Sequence, residues 1–189
     1  MGVAVRMPPP RRFTIEEYLT IERKAETKSE FHRGQILAMA GGMPSHNSIA
    51  PNISSALAPQ LKGRCRIFNS DQRIAAAEAI YYPDVSVICG EVNLDGRHQD
   101  VIRNPTMVVE VLSRSTARYD RMIKLPEYQR TPTISDILLV AQDRIRIEHV
   151  TRILDNWRTV TYTTLTDVID LPYLKCTLAL ADVYEGIEF

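Results

Sequence analysis

The chain predicts a mixed α/β (α+β) fold, and three observations carry that prediction. Ile49, Ile53, Leu57 and Leu61 recur every four positions, which lays one buried stripe along a helix. Residues 83–88 and 107–112 are short apolar runs of strand length. Residues 134–140 are almost continuously apolar, as in a strand covered on both faces.

The remaining elements follow in chain order. Residues 1–12 read as a flexible arm that closes on Pro8-Pro9-Pro10 and Arg11-Arg12. Thr14 with Glu17 has capping-box spacing, and Ile15, Tyr18, Leu19 and Ile21 predict a helix to about Thr27. Residues 29–40 form a strand or a hairpin turning at Arg33-Gly34. Gly41-Gly42 breaks the chain, and Ser45 is positioned to cap the striped helix over 45–61, with Pro51 in its first turns. Strands are expected at 65–68 and 73–76, and Asp95-Gly96 marks a polar loop. Thr116 starts a helix through Tyr128 that Pro126 should bend or shorten. Residues 144–152 and 160–163 alternate as strands around a turn at Asp155-Asn156, and the tail returns at 178–184. Without an internal repeat or linker, residues 13–189 read as a single domain.

Composition narrows the function classes. Lys plus Arg equals Asp plus Glu at 23 each, so any surface for a polyanion must be local. Cys65, Cys89 and Cys176 lack metal-ligand spacing and read as small core residues of a reducing cytosol. The first ten residues have no apolar core of signal-peptide length, and no run is long enough to cross a bilayer. The expectation is a cytoplasmic protein with no membrane partner.

Asp84 and Glu110 stand out because each interrupts an apolar strand pattern. A carboxylate in such surroundings is costly unless a charge or metal compensates it. Strand periodicity puts Asp84 with Ser86 and Ile88, and Glu110 with Val108 and Leu112, on one face of each strand. If the strands are neighbours, the pair can share a hard cation. Magnesium suits such a site, since it accepts one or two carboxylates and keeps waters and phosphate oxygens. The bland alternative is two ordinary carboxylates, each bonded to backbone or an arginine.

These residues carry a resemblance. Pro83-Asp84 followed by Val109-Glu110-Val111 is similar to the PD-(D/E)XK nuclease core. More of the chain resembles the Uma-type putative restriction endonucleases, a group also described as a domain of unknown function. The matching stretches are Ser29-Glu30-Phe31, Gly34, Met39-Ala40-Gly41, His46-Asn47, Tyr82-Pro83-Asp84-Val85, Val109 to Ser113, the series Asp120, Lys124, Tyr128, and Asp182-Val183-Tyr184. The resemblance implies a restriction-endonuclease-like core, a mixed β-sheet flanked by helices. It also implies a DNA endonuclease using Mg2+ or Mn2+, with Asp84 and Glu110 as catalytic and metal-holding carboxylates. Other readings are an inactive nuclease-fold domain that binds nucleic acid or a partner, and a phosphoesterase acting on RNA or a small phosphate ester.

One position departs from the pattern. The lysine expected two residues after the strand glutamate is Leu112 here, and the resemblance implies that Lys124 on the following helix takes its place. Lys124 would orient or help deprotonate water, or stabilise developing charge; otherwise it is a surface ion pair with Asp120 at i, i+4. His46 resembles the helical metal ligand of RecB-type nucleases, or it is a capping or packing residue. Glu30 is a further acidic candidate, or an exposed acid at a turn. Tyr128 shares a helix face with Lys124 and either positions it or packs beneath the helix, while Asp71 is assigned a structural role. Arg114, Arg118, Arg121, Lys124 and Arg130 make this helix locally basic, as would suit phosphate contacts. A homodimer would place two sites about a twofold axis for cutting both strands.

Overall fold

A computed structural model describes residues 11–39 and 41–189. The elements are α1 (Ile15–Glu22), β1 (Ser29–His32), β2 (Gln35–Ala38), α2 (Pro44–Leu61), β3 (Cys65–Asn69), β4 (Arg73–Ala76), β5 (Ala79–Tyr81) and β6 (Val85–Cys89). They continue as β7 (Val101–Ile102), β8 (Met107–Leu112), α3 (Ala117–Tyr119), a π-turn (Asp120–Lys124), α4 (Leu125–Arg130), β9 (Asp136–Ala141), β10 (Ile147–Ile153) and β11 (Asn156–Tyr162). The chain closes with β12 (Val168–Leu171), β13 (Cys176–Ala179) and α5 (Leu180–Val183).

Two sheets stack in the middle of the molecule. The larger is six-stranded, ordered β11-β10-β9-β8-β6-β3, and β8–β9 is its parallel pair. The smaller is five-stranded, ordered β2-β1-β5-β4-β7. Strand alternation sorts side chains between the two faces of the larger sheet. Val85, Val87, Val109 and Val111 meet the α2 stripe of Ile49, Ile53, Leu57 and Leu61 on one face. Ile88, Val108, Leu112 and Leu139 meet Ile74, Tyr81 and Tyr128 on the other. The smaller sheet is covered outside by α1, where Tyr18 and Leu19 pack with Phe31 and Ile80. The mixed fold and the strand carrying Glu110 thus stand as the sequence predicts, whereas the strand expected over 83–88 begins only at Val85 and leaves Asp84 in the link ahead of it.

Several details differ from the sequence expectations. The first helix ends at Glu22 rather than near Thr27, although the Thr14/Glu17 capping box forms. Met43, not Ser45, caps α2, because Pro44 fits the first helical position with its fixed φ and missing N–H. The hairpin does turn at Arg33-Gly34, both at positive φ as a two-residue connection of this twist requires. Cys65 and Cys89 do not remain separate thiols: they face each other across β3 and β6 and form a disulfide. Of the predicted arm, residues 1–10 lie outside the described residues. Arg11 pairs with Glu17, and Arg12 donates to the Arg33 carbonyl.

Candidate functional site

The register of β6 on β8 builds the site. Val85 stands opposite Val109 at the last pair of that ladder, and Asp84 lies one residue beyond it, in the bend that leads into β6, beside the next β8 residue, Glu110. Beyond Val85 the Asp84 side chain supplies an acceptor for the facing strand: its Oδ2 accepts the Val111 N–H at 2.7 Å. Its Oδ1 lies 3.0 Å from His46 Nε2. His46 comes from the first turn of α2, and Gly42 makes room for it: a Cβ there would stand 2.7 Å from the imidazole. His46 Nδ1 is buried without a hydrogen-bond partner among the described residues.

Lys124 reaches the same place from the π-turn and is 5% exposed. Its Nζ lies 2.7 Å from Glu30 Oε1, 3.1 Å from Glu110 Oε1 and 3.8 Å from Asp120 Oδ1. The Tyr128 hydroxyl donates to Glu110 Oε1, and the Tyr82 N–H donates to Glu30 Oε1. All seven candidates of the sequence analysis therefore gather at one place, and six of them, with Tyr128 behind Glu110, line a cavity of about 380 Å³. Glu30 is buried on β1 of the smaller sheet, not exposed at a turn, and Asp120 and Lys124 are buried rather than paired at the surface. Asp71 lies elsewhere and pairs with Lys28.

The expected basic face of the 117–130 helix is mostly neutralised. Lys124 points inward, Arg121 is held by Glu148, and Arg130 is held by Glu127. Sequence reasoning missed two tyrosines that line or flank the cavity. Lys124 Nζ sits 5.4 Å from the Tyr81 ring centre and 5.9 Å from that of Tyr119. The Tyr119 hydroxyl is buried without a partner among the described residues. Tyr119 shares the helical face of Asp120 and Lys124 only because of the wide π-turn, which no spacing rule for an α-helix anticipates.

The electrostatics follow from burying many acids together. Burial raises the Glu110 carboxyl well above its usual range; Lys124 opposes this, while Asp120, Asp84 and Glu30 reinforce it. Burial likewise raises Asp120. Burial would lower the Lys124 ammonium, but Glu110, Glu30 and Asp120 outweigh it, so Lys124 is held charged. The hydrogen bond to Asp84 raises the His46 imidazole against the effect of its burial.

Four carboxylates thus face one ammonium and one imidazole, a donor set of hard oxygens short of positive charge. That chemistry fits magnesium or manganese, which bind through one or two carboxylates and retain water. No three His, Cys, Asp or Glu side chains among the described residues converge as a preformed ligand cage. Of the four carboxylates, Glu110 keeps an oxygen, Oε2, that accepts no hydrogen bond among the described residues, while both oxygens of Asp84 are engaged by His46 and the Val111 N–H; these two are the residues that could hold such an ion.

Comparison with known proteins bears on this geometry. The Uma2 family, described as a putative restriction endonuclease, matches residues 15–181. The chain belongs to the Uma2 family. Two relatives of it are uncharacterized proteins of Synechocystis sp. The protein sll1609 is 38% identical over 145 residues, covering 75% of this chain and 82% of that protein. The protein slr1290 is 35% identical over 185 residues, covering 96% of each. A crystal structure of a putative nuclease belonging to DUF820 from Anabaena variabilis superposes with a TM-score of 0.74. It is 17% identical, and the match covers 93% of this chain and 99% of that one. The Uma2 chain therefore shares a nuclease-like fold. Among its described residues, no helix is long and apolar enough to cross a membrane.

Proposed function

We propose that this Uma2 chain is a metal-dependent endonuclease that hydrolyses DNA phosphodiester bonds. One observation carries the reading: Asp84, just ahead of β6 and bonded to the Val111 N–H, lines one cavity with Glu110 of β8 and with Lys124. When bound, Mg2+ or Mn2+ would supply an activated water and neutralise charge on a phosphoryl oxygen. Asp84 and Glu110 would hold the ion. The Val111 N–H and His46 fix the Asp84 carboxylate, and Tyr128 fixes that of Glu110. Lys124, 3.1 Å from Glu110 Oε1, would orient or help deprotonate the water, or stabilise charge on the reacting phosphoryl group. Glu30 and Asp120 hold the Lys124 Nζ in position.

The test is nicking of supercoiled plasmid with Mg2+ or Mn2+ and with EDTA. Glu110→Gln should lose at least about 100-fold in turnover, the scale of removing one preorganised electrostatic group. Unaltered cleavage by that variant would reject the site. Binding without cleavage in either metal would favour a non-catalytic nuclease-fold domain, for which Leu112 in place of the usual lysine is the sequence argument. Turnover of RNA or a small phosphate ester alone would redirect the substrate assignment.

A further inference from the structure

We propose that a hollow beside the acidic cavity, formed by Arg114, Arg121 and Arg144, is a subsite for a backbone phosphate flanking the bond to be cut. The inference rests on the nuclease reading above and adds a binding site to it.

The hollow has a volume of about 370 Å³ and opens at the C-terminal ends of β8 and β9. In sheets with parallel strands, that end is where ligands bind. Residues 113–121 form the wall shared with the acidic cavity. Ser115, Thr116 and Asp120 of this segment line the cavity, whereas Ser113, Arg114 and Arg121 line the hollow. A strand of nucleic acid lying across this wall would have one phosphate at the carboxylates and a neighbouring one at the arginines.

Three guanidinium groups and one carboxylate, Asp143, line the hollow, so positive charge is in excess there. Arg121 is fixed by Glu148 at 2.9 and 3.3 Å. Arg144 makes only a loose 3.6 Å pair with Asp143, and Arg114 makes no ion pair among the described residues. The base of the Arg114 loop is pinned: the Thr116 N–H donates to Ser113 Oγ at 3.1 Å, and the Ser113 N–H donates to Thr116 Oγ1 at 3.3 Å. Guanidinium groups recognise phosphate through paired N–H donors. A need for such a site also follows from the cavity itself. Its four carboxylates repel a polyanion, and the chain's net charge of zero offers no general attraction.

The experiment is fluorescence anisotropy of a labelled DNA duplex in EDTA, across a series of salt concentrations. Arg114→Ala and Arg144→Ala should each weaken binding and reduce the slope of log affinity against log salt by about one. Arg114→Lys should retain the slope, because it keeps the charge. Lys62→Ala is the control, since Lys62, just past the end of α2, lines neither the hollow nor the acidic cavity. An unchanged slope in both arginine-to-alanine variants would overturn the subsite, and metal-dependent nicking by the wild type would then leave the nuclease reading intact. Absence of both binding and nicking in the wild type would overturn the two together.

Discussion

The ammonium of Lys124 is what allows Glu30, Glu110 and Asp120 to be buried side by side. Removing one partner of a buried charge cluster leaves the others uncompensated. Lys124→Ala should therefore cost about 3–5 kcal/mol in chemical denaturation, far more than a surface ion pair would. It should also abolish nicking. A variant as stable as the wild type would show that the carboxylates are compensated by something other than this lysine. At this scale the sequence was only partly legible. Asp84 and Glu110 stood out because each breaks an apolar run. Glu30 and Lys124 did not, because burial of a charged side chain depends on partners from distant parts of the chain. Spacing alone made Asp120 and Lys124 a surface pair, whereas the cavity encloses both.

Helix α2 shows the opposite case, in which a local pattern specifies a tertiary contact. Its four-residue stripe is fully buried against Val85, Val87, Val109 and Val111, of which Val85 adjoins Asp84 and Val109 and Val111 flank Glu110. Leu57→Ala should lower stability by about 2–5 kcal/mol, read from denaturant unfolding, with nicking per folded molecule preserved. A loss below about 0.5 kcal/mol would mean that α2 does not hold the sheet. The 117–130 stretch resisted prediction for a definable reason. Leu125 N–H bonds to Asp120 O, five residues back, just ahead of Pro126. The wider turn changes which side chains share a face, and heptad or i, i+4 arithmetic cannot reveal it. Short β5 and β7 were equally silent, since three- and two-residue strands carry too little periodicity to separate them from loop.

For the molecule as a whole, the site makes stability depend on pH in a defined sense. His46 is raised above its ordinary 6.5, so its contribution is fully present below that value and is lost as pH climbs through the higher folded one. Glu110 and Asp120 are also raised, so the folded chain binds protons more readily than the unfolded chain, and rising pH works against folding there. On the acid side, Asp100, Glu127 and Glu148 are lowered; their contribution is present above the ordinary carboxylate range and lost as pH falls through their folded values. In EDTA, Tm should decline as pH rises above the ordinary histidine value of 6.5, and Mg2+ should flatten the decline by compensating the acids. An alkaline limb that is identical with and without Mg2+ would count against an ion at this cavity.

Asp84 lies in the short Tyr82-Pro83-Asp84 link by which the chain leaves β5 of the smaller sheet and enters β6 of the larger. Lys124 spans the same seam, with Glu30 on one side and Glu110 on the other. Sliding one layer over the other would therefore pull the aspartate out of register with its partner acid and break the lysine's grip at once. The acidic cavity is tied to the mechanical joint of the molecule, so whatever grips both layers also sets the spacing of its charged groups.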